Sequence, residues 1–282
     1  MAIARHGHDG KTVIAAFISQ VHPVFMLPPV ATALYGALLG RSIRLANASH
    51  LIAIFAAVYT AHVVDGYVDF HVRSEDDDHP LTARGCKLAL IGATVTFWMA
   101  TTAVYILAGL LPTLLTIPCW LIGYHHAPEL DTNPITATTG YPIGVALSLL
   151  GGNAITSYGL KPIAIGSAAV FVVLLSGVKI IDDLQDYEYD RHIEKMTVGV
   201  TLGQRRGRNL AHLLLMGGIG LVPLLIFLRI FTPGTILAPI AFGFVVLTAR
   251  GREPEISTKL LIRGSYVFLA LLIATTWFRP WG

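Results

Sequence analysis

The chain has 282 residues and a formal net charge of +3, with 54% hydrophobic and only 13% charged residues. Soluble domains carry about 25% charged residues, so this composition excludes a soluble globular protein and indicates an integral membrane protein. We therefore expect a lipid bilayer around the chain and no nucleic-acid partner. The two cysteines, Cys86 and Cys119, lie in apolar segments. Neither their spacing nor that of the histidines predicts a disulfide framework or a zinc site.

Nine apolar segments are long enough, or nearly so, to cross a bilayer as helices. Their approximate limits are 12–40, 49–70, 84–108, 110–126, 138–158, 162–187, 207–229, 233–249 and 258–278. The first has no small-residue cleavage site after its apolar core, so we interpret it as a retained span and not as a signal peptide. The sequence thus predicts an all-α integral membrane protein with residues 1–282 in a single transmembrane domain.

The distribution of basic residues predicts the orientation of these helices. If the N-terminus is cytoplasmic, most lysines and arginines outside the apolar segments fall on the cytoplasmic side. This is the arrangement that the positive-inside rule favours. We expect a multi-pass protein of the plasma membrane, with the N-terminus and the acidic loops described next facing the cytoplasm.

Two acidic stretches hold most of the acidic residues of the chain. In 172–190, Asp182, Asp186 and Asp190 are spaced four residues apart, and in 61–78 the same spacing separates Asp65 and Asp69. This spacing places the members of each set along one face of an α-helix. Carboxylates at the mouth of a membrane bundle are costly and by default mark a functional site. Two facing carboxylate rows predict Mg²⁺, which in turn usually binds phosphate oxygens.

The acidic stretches also indicate an internal repeat. Asp65 and Asp182 end the second and sixth apolar segments, and a short polar loop with a small motif follows each stretch, at 79–85 and 197–203. Two four-helix halves, about 12–126 and 138–249, with an extra helix at 258–278, account for the nine segments. A site between parallel repeats is a recurrent membrane architecture.

At these residues the chain resembles the UbiA superfamily of intramembrane prenyltransferases. That family carries an NDxxDxxxD-like motif after helix two and a DxxxDxxxD motif after helix six. The second motif is complete, as Asp182, Asp186 and Asp190. In the first, Asp65 replaces the leading Asn, Asp69 is kept, and Arg73 stands where the last Asp is expected.

Three shorter family motifs are altered in this chain. The family's RPL tripeptide stands as His79-Pro80-Leu81, and its RP near the start of helix one stands as His22-Pro23. The basic residues usual after helix four are His125-His126, directly after Tyr124. In all three places a histidine occupies the family's basic position.

The resemblance implies nine helices around a central cavity and a reaction in which Mg²⁺ joins both aspartate rows to a prenyl diphosphate. The diphosphate leaves, and a lipophilic acceptor captures the allylic cation. The implied catalytic residues are Asp65, Asp69, Asp182 and Asp186. The implied metal ligands are these four and Asp190. The cations near the leaving group are Arg73, Lys179, Arg191 and Lys195, and the candidate acceptor or cavity residues are His22, Tyr124 and His125.

Several alternatives remain open at this point. The acceptor could be an aromatic quinone precursor, a glycerol-phosphate lipid or a polyene. If the substrate's own double bond captures the cation, the chain is a membrane terpene cyclase. The CDP-alcohol phosphotransferases also use intramembrane aspartates, but theirs form one compact motif. A cation channel or carrier is the non-enzymatic alternative, and Lys179 could be a structural ion pair with Asp183 one turn away.

Overall fold

The computed structural model describes residues 2–40, 43–157, 159–193 and 195–278, and these residues are almost entirely helical. The α-helices are α1 (Gly10–Ile18), α2 (Pro23–Leu39), α3 (Leu45–Tyr67), α4 (Ala83–Ala108), α5 (Leu110–Tyr124), α6 (Pro134–Ser157), α7 (Pro162–Asp183), α8 (Tyr187–His192), α9 (Val198–Leu202), α10 (Gln204–Phe227), α11 (Leu237–Ala249) and α12 (Pro254–Phe278). A π-helical turn, Val68–Val72, extends α3, and 3₁₀ turns occupy Leu130–Thr132 and Pro233–Ile236.

A helix lies in each of the nine predicted segments, and the all-α fold class is confirmed. Within the described ranges, five helices are long and apolar enough to cross a membrane by length and composition: α3 with its π turn, α4, α7, α10 and α12. A sixth span results if α1 and α2 together count as one. The protein is therefore a multi-pass membrane protein, while the total of nine spans and the internal repeat stay predictions.

The first predicted span, 12–40, is not one continuous helix. It is broken between α1 and α2, whose axes differ by 64°. The cause is Pro23, since proline disfavours helical backbone angles in the residue before it. His22 accordingly has φ −102° and ψ 93° and precedes the first turn of α2.

The long helices form a closed ring. From α2 to α7 and from α10 to α12, each long helix contacts the next along the chain, α7 contacts α10, and α12 returns to α2. The Tyr266 hydroxyl on α12 donates a hydrogen bond to the Val24 carbonyl on α2, which fastens this closure. A ring of this kind leaves space at its centre, where the candidate site lies.

The two halves of the chain pack most closely where α2 crosses α6. A Cβ atom on Gly36 would overlap the carbonyl oxygen of Leu149, and one on Gly152 would overlap that of Ala33. Small residues allow backbones to approach in membranes, where helix association depends on close packing and interhelical hydrogen bonds. The Asn153 side chain adds such a bond by donating from Nδ2 to the Gly36 carbonyl at 3.2 Å.

Candidate active site

A cavity of about 570 Å³ lies inside the ring of helices. Much of its wall is apolar and comes from both halves of the chain. Apolar residues of the wall are Phe25, Ile54, Val58, Ile122, Val145, Leu175, Val178 and Ile262. This volume is within the range of about 300–1,000 Å³ typical of small-molecule sites.

The structure brings the two acidic stretches to this one cavity. Asp65 and Asp69, from the end of α3 and its π turn, are part of the wall, and so is Asp182 from the last turn of α7. Asp76 and Asp78 of the following loop also reach the wall, although both are exposed. The cavity therefore has an acidic region continuous with an apolar interior.

Asp69 occupies a π-helical turn, which the sequence pattern does not predict. The Arg73 N–H donates to the Val68 carbonyl, five residues earlier, at 2.8 Å. π turns within α-helices are rare and occur frequently at functional sites. The wider turn changes the angular relation between Asp65 and Asp69, yet both remain in the cavity wall.

The prediction that Asp182, Asp186 and Asp190 lie on one continuous helix is wrong. Helix α7 ends at Asp183, and α8 begins at Tyr187 with Asp186 as its preceding residue. The Gln185 N–H closes the turn by donating to the Asp182 carbonyl at 3.0 Å. Carboxylates at a helix C-terminus oppose the helix dipole, which disfavours continuing a helix through this acidic stretch.

A bridge of ion pairs joins the first acidic stretch to the loop between α5 and α6. The Arg73 guanidinium lies 3.5 Å from an Asp69 oxygen and 3.4 Å from an Asp131 oxygen. The Asp131 carbonyl accepts a hydrogen bond from the Met196 N–H at 2.8 Å, which ties the same loop to the segment between α8 and α9. Sequence reasoning missed Asp131, because it is a single carboxylate in a connecting segment.

Lys195 extends this network toward Asp190. Its Nζ lies 3.7 Å from an Asp190 oxygen. Burial and the neighbouring Lys179 work against the charged form of Lys195, but Asp131, Asp190 and Asp183 outweigh them and raise the pKa of its ammonium group. Lys195 therefore stays positively charged between carboxylates.

Lys179 is part of the cavity wall and is paired with two carboxylates. Its Nζ lies 2.6 Å from an Asp183 oxygen and 3.4 Å from an Asp182 oxygen. The structural ion pair with Asp183 is thus present, and Lys179 also reaches the cavity. Gln185, which sequence reasoning also missed, donates from Nε2 to Asp182 at 3.0 Å and to the Thr258 hydroxyl at 2.9 Å.

The carboxylates near the cavity fit a magnesium site. Among the described residues, several buried carboxylate oxygens have no hydrogen-bond partner: Asp183 Oδ2, both side-chain oxygens of Asp190, and Glu75 Oε2. Burial raises the pKa of Asp190 to about 6. Burial also raises the pKa of Glu75; Lys195 and Arg73 oppose the shift, and Asp186 and Asp65 add to it. Carboxylate oxygen atoms that no hydrogen bond uses are ligands of the kind that Mg²⁺ prefers.

The candidate acceptor residues divide into two groups. His22 is part of the cavity wall, as are His62 and His126, and the His22 and His62 rings lie 4.9 Å apart. Tyr124 and His125 are half exposed, and in the part of the chain that the structure describes neither belongs to the wall. Where α5 ends, His126 faces the cavity in place of its two neighbours.

Among the described residues, the other predicted site residues lie outside the wall, as do Arg73 and Lys195. Tyr124 stacks on Trp120 at 5.0 Å, and His125 lies 3.8 Å from Glu129. Arg191 is exposed, with its guanidinium 5.6 Å from the Tyr187 ring. Asp186 and Asp190 are on the α8 side of the turn, and Asp190 is buried.

The chain has the fold of the UbiA-type intramembrane proteins. The fold that the motifs predicted is therefore confirmed. A digeranylgeranylglyceryl phosphate synthase superposes with a TM-score of 0.73 at 13% identity, over 94% of this chain and 99% of that one. A UbiA homologue from Aeropyrum pernix K1 gives 0.71 at 12% identity, over 92% and 99%. A UbiA homologue from Archaeoglobus fulgidus, bound to DMAPP and Mg²⁺, gives 0.66 at 15% identity, over 92% and 96%. Neither a protein-family sequence model nor a curated protein sequence matches the chain.

Proposed function

We propose that the protein is a Mg²⁺-dependent prenyltransferase of the UbiA type, which ionises a prenyl diphosphate and transfers the prenyl group to a lipophilic acceptor. The observation that carries this proposal is the meeting of Asp65, Asp69 and Asp182, from two distant acidic stretches, in the wall of one apolar cavity. The Archaeoglobus fulgidus homologue with the same fold binds DMAPP or GPP together with Mg²⁺.

The carboxylates would hold the metal. Asp65, Asp69 and Asp182 supply oxygen atoms in the cavity wall, and Asp186 and Asp190 are the further candidates across the α7–α8 turn. When bound, Mg²⁺ neutralises negative charge that develops on the departing diphosphate. The protein's part is to fix the carboxylates in advance, so that little reorganisation is needed during bond cleavage.

The cations of the site would bind the diphosphate oxygens. Lys179 already lies in the wall, and Arg73 and Lys195 are held beside it by Asp131 and Asp190. A guanidinium group can bind phosphate in a bidentate manner, whereas an ammonium group acts as a point charge. Arg191 is exposed, and its guanidinium lies over the Tyr187 ring. It remains a candidate for the outer edge of this site.

The apolar part of the cavity would take the prenyl chain and keep water away from the allylic cation. Side chains such as Ile54, Val145 and Leu175 supply that surface. Excluding water prevents the cation from reacting with it before the acceptor does. His22 and His62 lie in the same wall and could bind a polar group of the acceptor or take up the proton that some acceptors release.

We propose further that the site opens toward the cytoplasm from the plasma membrane. The Lys and Arg distribution supports a cytoplasmic N-terminus and cytoplasmic acidic loops. The acidic ends of α3 and α7 lie at one cavity, so both acidic stretches share a membrane side. A hydrophilic diphosphate would then reach the carboxylates from the cytoplasm, while the acceptor would arrive from the lipid.

The test is diphosphate release by the purified protein from geranyl, farnesyl and geranylgeranyl diphosphate, with and without Mg²⁺ and a panel of acceptors. We expect Mg²⁺-dependent release that Asp69→Asn and Asp182→Asn abolish. Asp77→Asn is the matched control, because Asp77 is an exposed carboxylate of the same acidic stretch. Release without any acceptor, together with a cyclic hydrocarbon product, would identify a terpene cyclase. No Mg²⁺-dependent release from any donor would refute the proposal.

A further inference from the structure

A second cluster of metal-binding side chains lies at the first acidic stretch, on residues that are not among the proposed Mg²⁺ ligands, although His79 also belongs to the cavity wall. One ligand atom each from His71, His79 and Cys86 lies within 4.8 Å of the other two. His71 belongs to the π turn after α3, His79 to the loop that follows, and Cys86 to the first turn of α4. The sequence spacing gives no sign of the cluster, because three different structural elements supply its members.

The Leu81 carbonyl oxygen completes this cluster. It lies 3.3 Å from His71 Nε2 and 3.0 Å from His79 Nδ1, while Cys86 Sγ lies 3.9 Å from the same His79 Nδ1. In a tetrahedral zinc site, typical bond lengths give about 3.4 Å between nitrogen and oxygen ligands and about 3.6 Å between nitrogen and sulfur. Along these three edges the separations differ from the ideal values by a few tenths of an ångström. The Leu81 N–H, which donates to His79 Nδ1 at 3.2 Å, must give way to the metal.

The cluster is buried. Cys86 is fully buried, and His79 is 4% exposed. Imidazole and thiolate are ligands that favour Zn²⁺ among the available divalent ions, whereas Mg²⁺ prefers the oxygen atoms of the acidic cavity. Two chemically different donor sets thus lie close to the same π turn, and His79 also belongs to the cavity wall.

We propose that His71 Nε2, His79 Nδ1 and the Cys86 thiolate bind a structural Zn²⁺, with the Leu81 carbonyl as the fourth ligand. Binding releases the thiol proton of Cys86 to solvent. Zinc at this place joins the end of α3 to the start of α4. It thereby fixes both ends of the acidic loop between them.

The second ring nitrogen of His79, Nε2, connects the proposed zinc site with the cavity. His79 Nε2 is buried, has no hydrogen-bond partner among the described residues, and faces Gly66 in the cavity wall. Metal binding at one ring nitrogen fixes the tautomer, so the proton must sit on the other. The Leu81 N–H donates to Nδ1 at 3.2 Å, so Nε2 carries the proton without zinc as well, and zinc on Nδ1 keeps this tautomer. The use of this Nε2–H donor by a diphosphate rests on the proposed function, but zinc binding does not.

The experiment measures zinc in the full-length protein purified in detergent, by elemental analysis after removal of loosely bound metal. We expect about one zinc per chain and, after replacement by Co²⁺, a thiolate-to-metal charge-transfer absorption band. Cys86→Ser should lose both. Cys119→Ser is the matched control, because Cys119 is also buried but its sulfur makes hydrogen bonds with Leu115, Gly144 and Ser148 and lies in no cluster of potential metal ligands among the described residues.

His71→Gln keeps the proposal testable if the cysteine variant does not fold, since His71 is only partly buried. We expect it to weaken zinc binding by more than about tenfold in competition with a chelator, because even removal of supporting residues around a metal costs that much. Asp182→Asn should keep its zinc whether or not the chain is a prenyltransferase, which separates the two proposals. A wild-type protein that binds no zinc when supplied with it, or a Cys86→Ser variant with unchanged content, would overturn the inference.

Discussion

Arg73 offers the sharpest test of how the site handles its substrate. It stands where the resemblance places a metal-binding aspartate, and in the structure it is held by Asp69 and Asp131. We predict that it moves from these carboxylates to the diphosphate. Loss of a hydrogen bond to a charged group costs about 1.5–3 kcal/mol, and about 1.4 kcal/mol is a factor of ten in affinity. Arg73→Ala should therefore raise the KM for the prenyl donor about ten- to a hundredfold.

Asp131→Asn distinguishes this role from that of a structural clamp. The substitution weakens the hold on Arg73 but keeps the backbone hydrogen bond from the Met196 N–H to the Asp131 carbonyl. Both partners are partly shielded, with side-chain exposures of 14% for Arg73 and 11% for Asp131. Because a partly exposed ion pair contributes up to about 1 kcal/mol, we expect the donor KM of Asp131→Asn to fall by up to about fivefold. The double variant should behave like Arg73→Ala.

The assay is initial-rate kinetics with varied prenyl donor at saturating Mg²⁺, with thermal unfolding in detergent as the control for folding. Arg73→Lys should recover only part of the loss, since lysine cannot replace a bidentate guanidinium. If Arg73→Ala and Asp131→Asn raise KM by the same factor, Arg73 only clamps the α5–α6 loop and the reasoning fails. If Arg73→Asp raises activity at low Mg²⁺, Arg73 replaces a metal ligand and does not contact the anion.

Three further outcomes are expected. Burial raises the pKa of Asp190 to about 6. As the pH rises through about 6, the Mg²⁺-free protein should lose stability and should bind Mg²⁺ more tightly. Asp190→Asn should remove this pH dependence in calorimetry. Gly152→Ala should destabilise the protein by about 1–3 kcal/mol in thermal unfolding, because its Cβ would overlap an α2 carbonyl, whereas Gly92→Ala has open space and should not. Ser74→Cys should resist a membrane-impermeant thiol reagent on intact cells, and Leu160→Cys should react, if the acidic loops are cytoplasmic.

The sequence predicts the helices because apolar length is a local pattern. It predicts the meeting of the acidic stretches because each of them ends a helix at the same place in a parallel repeat. Apolar length places the helices, and the spacing of Asp65 and Asp69 anticipates their shared presence in the cavity wall. The break after Asp183 was not predicted, because the same four-residue spacing fits a continuous helix and a helix interrupted by one turn. The bend before Pro23 had a signal, since proline constrains the preceding residue, but the apolar run across it suggested one span.

Contacts between distant segments are what the sequence could not supply. Asp131 reaches Arg73 across 58 positions, and nothing in its local sequence links it to either acidic stretch. Glu75 is followed directly by three aspartates, yet it combines a buried oxygen that has no hydrogen-bond partner with a raised pKa. His126 faces the cavity while His125 does not, which depends on where α5 ends to within one residue. Which of several similar residues reaches the site depends on packing and not on residue type.

The pairing of charges at the cavity implies that metal and diphosphate must bind as a unit. Each cation proposed to contact the leaving group, apart from Arg191, is already paired with a carboxylate that is also a candidate metal ligand: Lys179 with Asp182, Arg73 with Asp69 and Lys195 with Asp190. A diphosphate carrying about three negative charges would be repelled by the carboxylates in the wall unless metal ions first offset their charge. Once Mg²⁺ holds those carboxylates, the cations lose part of their attraction to them and can turn to the phosphate oxygens. The tight pairing seen without substrate is thus compatible with a phosphate-binding role, because the metal that binds the substrate also frees the residues that complete its binding.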